Sequence, residues 1–188
     1  MVTEIELKAH IRSSEELKRK LTQKAEYLYA FEKKDEYWYN DESTLLPSGL
    51  RIRDEKRIFP DGREESLTLA TYKNKEVRDN IEINDEREFN VAPIVEFEEF
   101  LRRIGLKPGR SKQKRGWAFL KDGITAELVE VKGLGWFIEL EIVTQDRNEG
   151  AFAQGKKRLL ELLSDLGITE EAIESRFYSE MLNKKYGV

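Results

Sequence analysis

Charged and apolar residues alternate strictly within the first ten positions of the chain. Glu4, Glu6 and Lys8 fall on one parity, and Ile5 and Leu7 fall on the other. Successive side chains of a β-strand point to opposite faces of the sheet. The alternation therefore predicts a strand with one charged face and one apolar face.

The same period of two recurs along the chain, with aromatic and β-branched residues bounded by turn signals. It predicts strands over residues 2–11, 27–41, 49–57, 66–73, 82–91, 114–120, 123–131 and 136–143. Apolar residues at helical spacing, with suitable caps and stops, predict the helices. These cover residues 13–26, 94–105, about 150–166 and about 169–184. Short turns between the last strands favour an α+β fold with about eight antiparallel strands.

Length and composition limit what this fold can do. The chain has 188 residues, of which 39% are hydrophobic, so we expect a single domain over residues 1–188. The absence of cysteine excludes disulfides, thiolate zinc sites and a cysteine nucleophile. The single histidine, His10, cannot supply a histidine metal cluster. Trp38, Trp117 and Trp136 are predicted to form core or groove walls, the alternative being stacking on an organic group.

The overall charge argues against two classes of partner. Charged residues make up 37% of the chain, but 33 Lys and Arg nearly cancel 37 Asp and Glu, for a net charge of −4. A nucleic-acid binder typically has a one-sided basic excess, so no nucleic-acid partner is expected. No apolar run approaches the roughly 20 residues that span a bilayer, and the start lacks signal-peptide features. We therefore expect a soluble cytoplasmic protein with no membrane partner.

The signs of the charges on the predicted strands are more informative. Each of five strands carries charged residues on one parity, often of one sign; besides the first strand these are Arg51 with Arg53, Glu82 with Glu86 and Glu88, Lys112 with Lys114, and Glu139 with Glu141. An ordinary half-buried sheet with its charges facing solvent explains any one of these strands. Five of them in one small chain favour a barrel whose lumen is lined by charges.

Acids and bases on facing walls of a lumen have a chemical consequence. An acid-rich sector can hold a hard divalent cation through carboxylate oxygens. A base-rich sector can hold a polyanion through charge-assisted hydrogen bonds, each worth about 1.5–3 kcal/mol. The pattern therefore predicts a pocket for a metal-bound phosphate chain.

Several motifs in the chain resemble those of the CYTH proteins, also called triphosphate tunnel metalloenzymes. The first is Glu4-x-Glu6-x-Lys8 near the N-terminus. The others follow in family order: LRIR at 50–53, a strand ending at Lys73, Glu86-x-Glu88, KQKR at 112–115, VKGLGWFIELE at 131–141 and SRFYSEML at 175–182. The family includes class IV adenylyl cyclases, thiamine triphosphatases and inorganic triphosphatases, and the resemblance covers nearly the whole chain.

The resemblance implies an eight-stranded antiparallel closed β-barrel, the triphosphate tunnel, with helices packed outside. It implies Mg²⁺ or Mn²⁺ bound by acidic residues, for which the matching positions are Glu4, Glu6, Glu86, Glu88, Glu127, Glu139 and Glu141. The residues that match the triphosphate-gripping cations are Lys8, Arg51, Arg53, Lys73 and Lys114, with Lys112 as a further binding residue in an alternative register. Apart from the resemblance, Arg176 and Tyr178 in the last predicted helix are candidates to close one tunnel mouth and contact the phosphates. Glu4, Glu6 and Lys8 are the expected catalytic residues.

Three positions depart from the family pattern. Val129 stands where many members have Asp, so Glu127, two residues earlier on the same face, either substitutes for it or leaves the ligand set one short. The K-x-R pair that is common in the family corresponds to Lys114 and Gly116 or, in a shifted register, to Lys112 and Lys114. An arginine is lost in either register, and Arg115 points to the opposite face unless a bulge intervenes. Asn84 occupies a position where an Arg is common.

Three functions remain open on the sequence, and the first of them is the one we expect. The first is a metal-dependent hydrolase of inorganic triphosphate, thiamine triphosphate or a nucleoside triphosphate. The second is a class IV adenylyl cyclase that converts ATP to cyclic AMP and pyrophosphate, and the third is a non-enzymatic phosphate-binding module. Phosphoryl transfer depends mainly on positioning and charge neutralisation, so one cationic clamp serves all three. The expected partner is a small-molecule triphosphate, and the protein is expected to be a monomer or a homodimer.

Overall fold

A computed structural model describes residues 3–40, 50–146 and 148–187 of the chain. The strands are Thr3–His10 (β1), Glu26–Tyr39 (β2), Leu50–Ile58 (β3), Glu64–Arg78 (β4), Ile81–Asn90 (β5), Lys107–Lys121 (β6), Ile124–Val131 (β7) and Gly135–Thr144 (β8). The α-helices are Ser14–Lys24 (α1), Ile94–Arg103 (α2), Glu149–Asp165 (α3) and Tyr178–Tyr186 (α4). A short 3₁₀ turn covers Glu170–Ala172. The predicted strand ends at residues 2, 41 and 49 lie outside the described residues.

The eight strands close into one antiparallel barrel in the order β1-β5-β4-β3-β2-β6-β7-β8. Strand β8 pairs with β1 over the whole length of β1, from Thr3 opposite Thr144 to His10 opposite Phe137. This pairing completes the ring of strands. The structure thus confirms the closed eight-stranded barrel with outer helices that the sequence predicts.

Apolar side chains cover the outer wall of the barrel. Ile5 and Leu7 of β1 are 2% and 1% exposed, and they belong to a buried cluster with Leu17 and Leu21 of α1 and Leu159 of α3. Burying one such side chain contributes about 1.5–3 kcal/mol, so this face determines which way each strand is turned. Because alternate residues point to opposite faces, the charged parity must line the lumen.

The three tryptophans also lie on the outer wall. Trp38 is fully buried in a cluster with Ile52 and Leu101, beneath α2. The rings of Trp117 and Trp136 stack on each other with centroids 5.5 Å apart. The prediction of core or wall positions is therefore confirmed, whereas stacking on an organic group inside the lumen is not supported by these positions.

The predicted helix over about 169–184 is wrong in its first half. The chain there forms the 3₁₀ turn and then runs extended, and α4 begins only at Tyr178. Strand β1 continues past its last residue paired with β5, Glu6, so its backbone beyond that point is available to another segment. Ile173 bridges Ala9, and the Glu174 N–H donates to the Lys8 carbonyl at 2.9 Å. This tertiary pairing overrides the local helical pattern.

Two strands are longer than predicted. Strand β4 continues past Lys73 to Arg78, and β6 begins at Lys107, seven residues before the predicted start at residue 114. The Pro108 and Gly109 pair suggests a turn by composition, yet Pro108 lies opposite Trp38 beside an irregularity in the β2–β6 pairing. Pro is tolerated in a strand at such an irregularity. Among the described residues, no helix is both long and apolar enough to cross a membrane.

Candidate active site

Strand β1 delivers the first three functional side chains to the lumen. Glu4, Glu6 and Lys8 face inward because Ile5 and Leu7 are held against the outer helices. The β1–β8 register places Glu141 opposite Glu6 and Glu139 opposite Lys8. Side chains of directly opposed residues lie on the same face and within contact distance.

Three of the inward acids form a carboxylate cluster, made of Glu4, Glu6 and Glu141. One oxygen from each lies within 4.8 Å of the others. Burial raises the pKa of Glu141 to about 8, with a further increase from the charges of Glu4 and Glu6. Burial also raises the pKa of Glu4 to about 7, although the Lys73 ammonium, 2.8 Å from its carboxylate, opposes this. Two of the three carboxyls are therefore difficult to ionise when no cation is present.

Glu6 behaves differently from its two neighbours. Burial alone would raise its pKa, but the charges of Lys73, Lys75, Lys8 and Lys114 outweigh it and lower the pKa of Glu6 to about 2. Glu6 is therefore ionised beside Glu4 and Glu141, and the three carboxylates repel one another when all are charged. A hard divalent cation prefers carboxylate oxygens and would relieve this repulsion. The residues present therefore fit Mg²⁺ or Mn²⁺.

Of the predicted acids on β5, Glu86 lies next to the carboxylate cluster, where its side chain hydrogen-bonds with that of Glu4. The Glu86 carboxylate lies 3.1 Å from the Lys73 ammonium and 3.5 Å from the Arg51 guanidinium. Burial would raise the pKa of Glu86, but Lys73 and then Arg51 lower it to about 2. Glu88 accepts hydrogen bonds from Thr71 at 2.8 Å and from Arg51 at 3.2 Å. These two acids act in this structure as partners of cations and are not part of the carboxylate cluster.

The predicted acids on β7 and β8 outside the cluster are also paired with lysines. Lys33 donates to both oxygens of Glu127, at 2.6 and 2.8 Å. Lys114 donates to both oxygens of Glu139, at 2.7 and 2.9 Å. Val129, the position where Asp is common in the family, is fully buried in an apolar cluster. Glu127 thus faces the lumen as predicted, but both of its carboxylate oxygens accept hydrogen bonds from Lys33.

Beside the carboxylate cluster lies a lumen cavity of about 80 Å³. Among the described residues, six cationic side chains line it: Lys8, Arg51, Lys73, Lys75, Lys112 and Lys114. Three carboxylates do so as well: Glu6, Glu82 and Glu139. Cations therefore outnumber acids two to one, and a low-dielectric wall strengthens the attraction of such a cavity for anions.

Acids pair with the lysines of the cavity, but the charged form of two of these lysines is still disfavoured. Glu82 pairs with Lys8 and lies 3.5 Å from the Lys75 ammonium. Burial lowers the pKa of Lys75, and the nearby charge of Lys73 lowers it further. Burial lowers the pKa of Lys114 in the same way. A bound polyanion would stabilise the charged form of these lysines.

The register of the KQKR cluster is now defined. Lys112 pairs with Asp35 of β2 and Lys114 pairs with Lys33, and both lysine side chains face the lumen. Arg115 points outward, where it binds Glu130 at 2.5 Å. The alternative in which Arg115 faces inward through a bulge does not occur.

Arg53 occupies the lumen side of β3 but does not line the cavity. Its guanidinium donates to both oxygens of Asp35, from Nε at 2.7 Å and from Nη2 at 3.0 Å. Asn84 is fully buried beside the carboxylate cluster, and its side-chain amide donates to Glu6 at 3.4 Å. The small Asn84 side chain thus contacts a cluster member from the position where many family members have Arg.

The segment before α4 closes one end of the cavity. Tyr178 is 7% exposed, and its ring packs edge-on against Phe137 with centroids 5.0 Å apart. The Lys114 ammonium lies 4.8 Å from the centre of the Tyr178 ring, within cation–π distance. Arg176 lies outside the cavity lining and before the helix, where it donates to Glu174 at 2.5 and 2.8 Å. Of the predicted pair at this end, Tyr178 reaches the lumen and Arg176 does not.

Several lumen residues were not among the predicted site residues. They are Lys33, Asp35, Tyr37, Lys75 and Glu82. Parity contains the signal for each of them, because Lys75 follows Lys73 by two positions and Lys33, Asp35 and Tyr37 are also two positions apart. Glu82 shares the parity of Glu86 and Glu88.

A larger groove of about 810 Å³ is lined by β2, β3, β4, β6 and β7, mostly through outward-facing residues but also through Lys33 and Lys114. Among the described residues, six cationic side chains and four acids line it, including Glu32, Lys34, Asp54 and Lys56. The excess of cations over acids is smaller here than in the lumen cavity, so size alone does not make this groove the better candidate.

Comparisons with known proteins agree with this fold. The sequence model of the CYTH domain matches residues 3–178. A putative adenylate cyclase from Methanocaldococcus jannaschii is 27% identical over 132 residues, which cover 70% of this chain and 69% of the relative. The PH1012 protein from Pyrococcus horikoshii OT3 is 29% identical with a TM-score of 0.73, covering 94% of this chain and 98% of that one.

Two further solved structures share the barrel. The PH1819 protein from Pyrococcus horikoshii OT3 is 25% identical with a TM-score of 0.78, covering 97% of this chain and 99% of that one. A putative adenylyl cyclase from Hippeastrum, described as having a dominant triphosphatase activity, is 16% identical with a TM-score of 0.67. The alignment covers 100% of this chain and 96% of that one, and at this identity the likeness concerns the fold alone.

Proposed function

The chain belongs to the CYTH domain family, and from this premise we propose that it is a metal-dependent triphosphatase that hydrolyses inorganic or organic triphosphates inside its barrel. One observation carries the proposal: the carboxylate cluster and the cationic cavity adjoin in the same lumen. Glu6 belongs to the cluster and also lines the cavity. Lys73 lines the cavity and contacts Glu4 of the cluster at 2.8 Å.

The side chains in this arrangement have separate tasks. Lys8, Lys73, Lys112 and Lys114 bind the phosphate oxygens and offset the negative charge that must be brought together. Glu4, Glu6 and Glu141 are the residues that would hold Mg²⁺ or Mn²⁺. When bound, such an ion neutralises phosphate charge and lowers the pKa of water in contact with it. The acids in turn keep the lysines oriented while the cavity has no polyanion.

An adenylyl cyclase is the second candidate function, favoured by the name of the Methanocaldococcus jannaschii relative. Cyclisation requires the base and ribose of ATP to be held so that the ribose 3′-oxygen reaches the α-phosphorus. The cationic side chains that line the cavity suit a phosphate chain of any triphosphate. We therefore favour hydrolysis over cyclisation.

Product analysis distinguishes these functions. The protein is incubated with Mg²⁺ or Mn²⁺ and, separately, with inorganic triphosphate, ATP and thiamine triphosphate. A triphosphatase releases orthophosphate, and a chelator abolishes the release. Cyclic AMP with equimolar pyrophosphate as the main product from ATP would instead establish the cyclase. Tight metal-dependent binding with no turnover of any of the three would identify a phosphate-binding module.

A matched variant connects the measured activity to the lumen. Glu141→Gln removes one charge from the carboxylate cluster without a change in side-chain size, so it should lower turnover by at least about tenfold. Turnover that is unchanged in this variant would show that the activity arises elsewhere.

A further inference from the structure

Asp35 is a fully buried acid of the lumen wall. It belongs neither to the carboxylate cluster nor to the lining of the cavity. It lies on β2 and is 0% exposed. Both of its carboxylate oxygens are occupied, because Arg53 donates to each of them, at 2.7 and 3.0 Å. The Lys112 ammonium lies 3.2 Å from one of these oxygens. Asp35 therefore contacts two cations of one wall at once.

Only one of those two cations reaches the cavity. Lys112 lines the cavity, whereas Arg53 and Asp35 lie behind it. Lys112 also donates to the Tyr37 hydroxyl at 3.0 Å, and Tyr37 lines the cavity too. The lysine is thus fixed at two points, with Asp35 behind it and Tyr37 beside it. A lysine side chain otherwise has four flexible bonds and no preferred direction.

The surroundings of Lys112 require such an anchor. Burial opposes its charge and the Arg53 guanidinium repels it, yet Tyr37 and Asp35 outweigh both and raise the pKa of Lys112. Burial would likewise raise the pKa of Asp35, but Arg53 and then Lys112 hold it well below its usual range. Without the Asp35 charge, Arg53 and Lys112 would repel each other across the same buried space.

We propose that Asp35 is a positioning residue that holds Lys112 in the orientation in which its ammonium contacts the triphosphate. This proposal rests on the proposed function, since it assumes that the lumen cavity binds the phosphate chain. Asp35 itself does not touch the substrate, and its effect passes through Lys112. Loss of its charge should therefore weaken triphosphate binding without altering metal binding at the carboxylate cluster.

Glu55 offers a matched control for Asp35. It is also a buried acid of the barrel wall, 3% exposed, and it pairs with an arginine, accepting from Arg57 at 2.6 Å. It does not line the cavity. Asp35→Asn and Glu55→Gln therefore both remove the charge of a buried, arginine-bound acid, but only the first removes the anchor of a cavity lysine.

The test compares binding by calorimetry. Inorganic triphosphate is titrated in the presence of Mn²⁺, and Mn²⁺ is titrated alone. Asp35→Asn should weaken triphosphate binding by about tenfold, the effect of one misplaced charge-assisted contact. Glu55→Gln should change it by less than about twofold, and both variants should bind Mn²⁺ alone as the unaltered protein does. Thermal unfolding of each variant measures how much stability is lost in both cases.

A double-mutant cycle shows whether the effect passes through Lys112. In a Lys112→Met background, Asp35→Asn should cause less than about a twofold further loss of triphosphate affinity. If Asp35→Asn does not fold, Asp35→Glu takes its place, because it keeps the charge but moves it by one methylene group. Asp35→Glu should give the same pattern of losses.

Three outcomes would overturn the positioning role. They are equal losses in Asp35→Asn and Glu55→Gln, unaltered triphosphate affinity in Asp35→Asn, and the same loss in the presence and absence of Lys112. Failure of the proposed function gives a different result, since the unaltered protein would then bind no triphosphate in the presence of Mn²⁺.

Discussion

The three acids of the carboxylate cluster carry unequal charge because their neighbours differ. Glu6 faces several lysines and has a pKa of about 2, whereas Glu4 and Glu141 have pKa values of about 7 and 8. At neutral pH the metal-free cluster therefore retains a proton mainly on Glu141 and partly on Glu4. A divalent cation would displace those protons, because it stabilises the ionised form of all three.

The first prediction separates members of the cluster from other acids that resemble metal ligands. Glu141→Gln should lower Mn²⁺ affinity by at least about tenfold, because it removes one of three clustered carboxylates. Glu88→Gln should change Mn²⁺ affinity by less than about twofold, because Glu88 binds Arg51 and Thr71 instead. Calorimetric titration of Mn²⁺ into each variant provides the measurement. Equal losses in the two variants would place Glu88 among the ligands.

The second prediction concerns Lys75, which was not among the predicted binding residues. Lys75 lines the cavity, so Lys75→Ala should weaken binding of inorganic triphosphate with Mn²⁺ by about tenfold, as the loss of one charge-assisted contact does. Lys34→Ala is the control, because Lys34 is exposed on the outer face of β2. It should leave triphosphate affinity unaltered. A similar loss in both variants would indicate that net charge, and not the cavity, determines binding.

At the scale of elements, strand parity was the strongest signal in the sequence. It assigned Arg51 and Arg53 to one face and Ile52 to the other, and the barrel confirms this. The ends of strands were less well predicted. Because the predicted β4 ended at Lys73, Lys75 was excluded from the lumen although it has the same parity.

Contacts between distant segments account for the remaining errors. The ion pair of Arg53 with Asp35 joins β3 to β2. No local sequence pattern indicates that this lumen arginine is paired with an acid and so is not available to bind phosphate. In the same way, the bridge between Ala9 and Ile173 interrupts a segment whose composition favours a helix. The sequence determines which face a side chain occupies more directly than it determines the partner.

The third prediction tests how closely two strands approach. A Cβ atom at Gly116 of β6 would lie 2.0 Å from the Leu128 carbonyl oxygen of β7, and backbone cannot move away at low cost. Gly116→Ala should therefore destabilise the barrel by at least about 2 kcal/mol in chemical denaturation. Gly155→Ala in α3 is the comparison, because the one close contact of its Cβ, at 2.6 Å, would be with Cδ1 at the end of the Ile5 side chain, and no backbone atom is in the way. Ala is also the better helix former, so this variant should be nearly neutral. Equal destabilisation by the two changes would contradict the close approach of β6 and β7.

The molecule places its largest apolar cluster outside the barrel, and its lumen holds most of the buried charges together with a smaller apolar cluster around Phe137 and Tyr178. Leu128, Ile138 and Leu140 are fully buried on the outer wall, whereas Lys8 and Glu139 are 3% and 8% exposed within the lumen. Burying so many ionisable groups is unfavourable unless they are paired. The free energy of unfolding of the metal-free protein should therefore depend on pH through Glu4 and Glu141, whose negative charges are not fully balanced by nearby cations.

The fourth prediction gives the sign of that response. Between the usual pKa of a glutamate, 4.5, and the values of about 7 and 8 for Glu4 and Glu141, the folded protein binds more protons than the unfolded chain. Their contribution to stability therefore falls as the pH rises from 5 to 8. Unfolding of the metal-free protein at these two pH values measures this change.

Two controls accompany the pH measurement. Mn²⁺ should raise the melting temperature more at pH 8 than at pH 5, because ionised carboxylates bind the ion. Glu141→Gln cannot titrate and should show a smaller fall in stability between the two pH values. A metal-free protein that is more stable at pH 8, with the same pH dependence in Glu141→Gln, would contradict the assigned pKa values.

The most direct test of a metal-bound triphosphate in the lumen is a crystal structure of the protein grown with Mn²⁺ and inorganic triphosphate. Anomalous scattering identifies the manganese position without reference to the proposed ligands. The peak should lie at the carboxylates of Glu4, Glu6 and Glu141, with the phosphate chain beside it against Lys8 and Lys114. A manganese peak away from these carboxylates, or a triphosphate bound on the outer wall with the lumen empty, would contradict the proposed site.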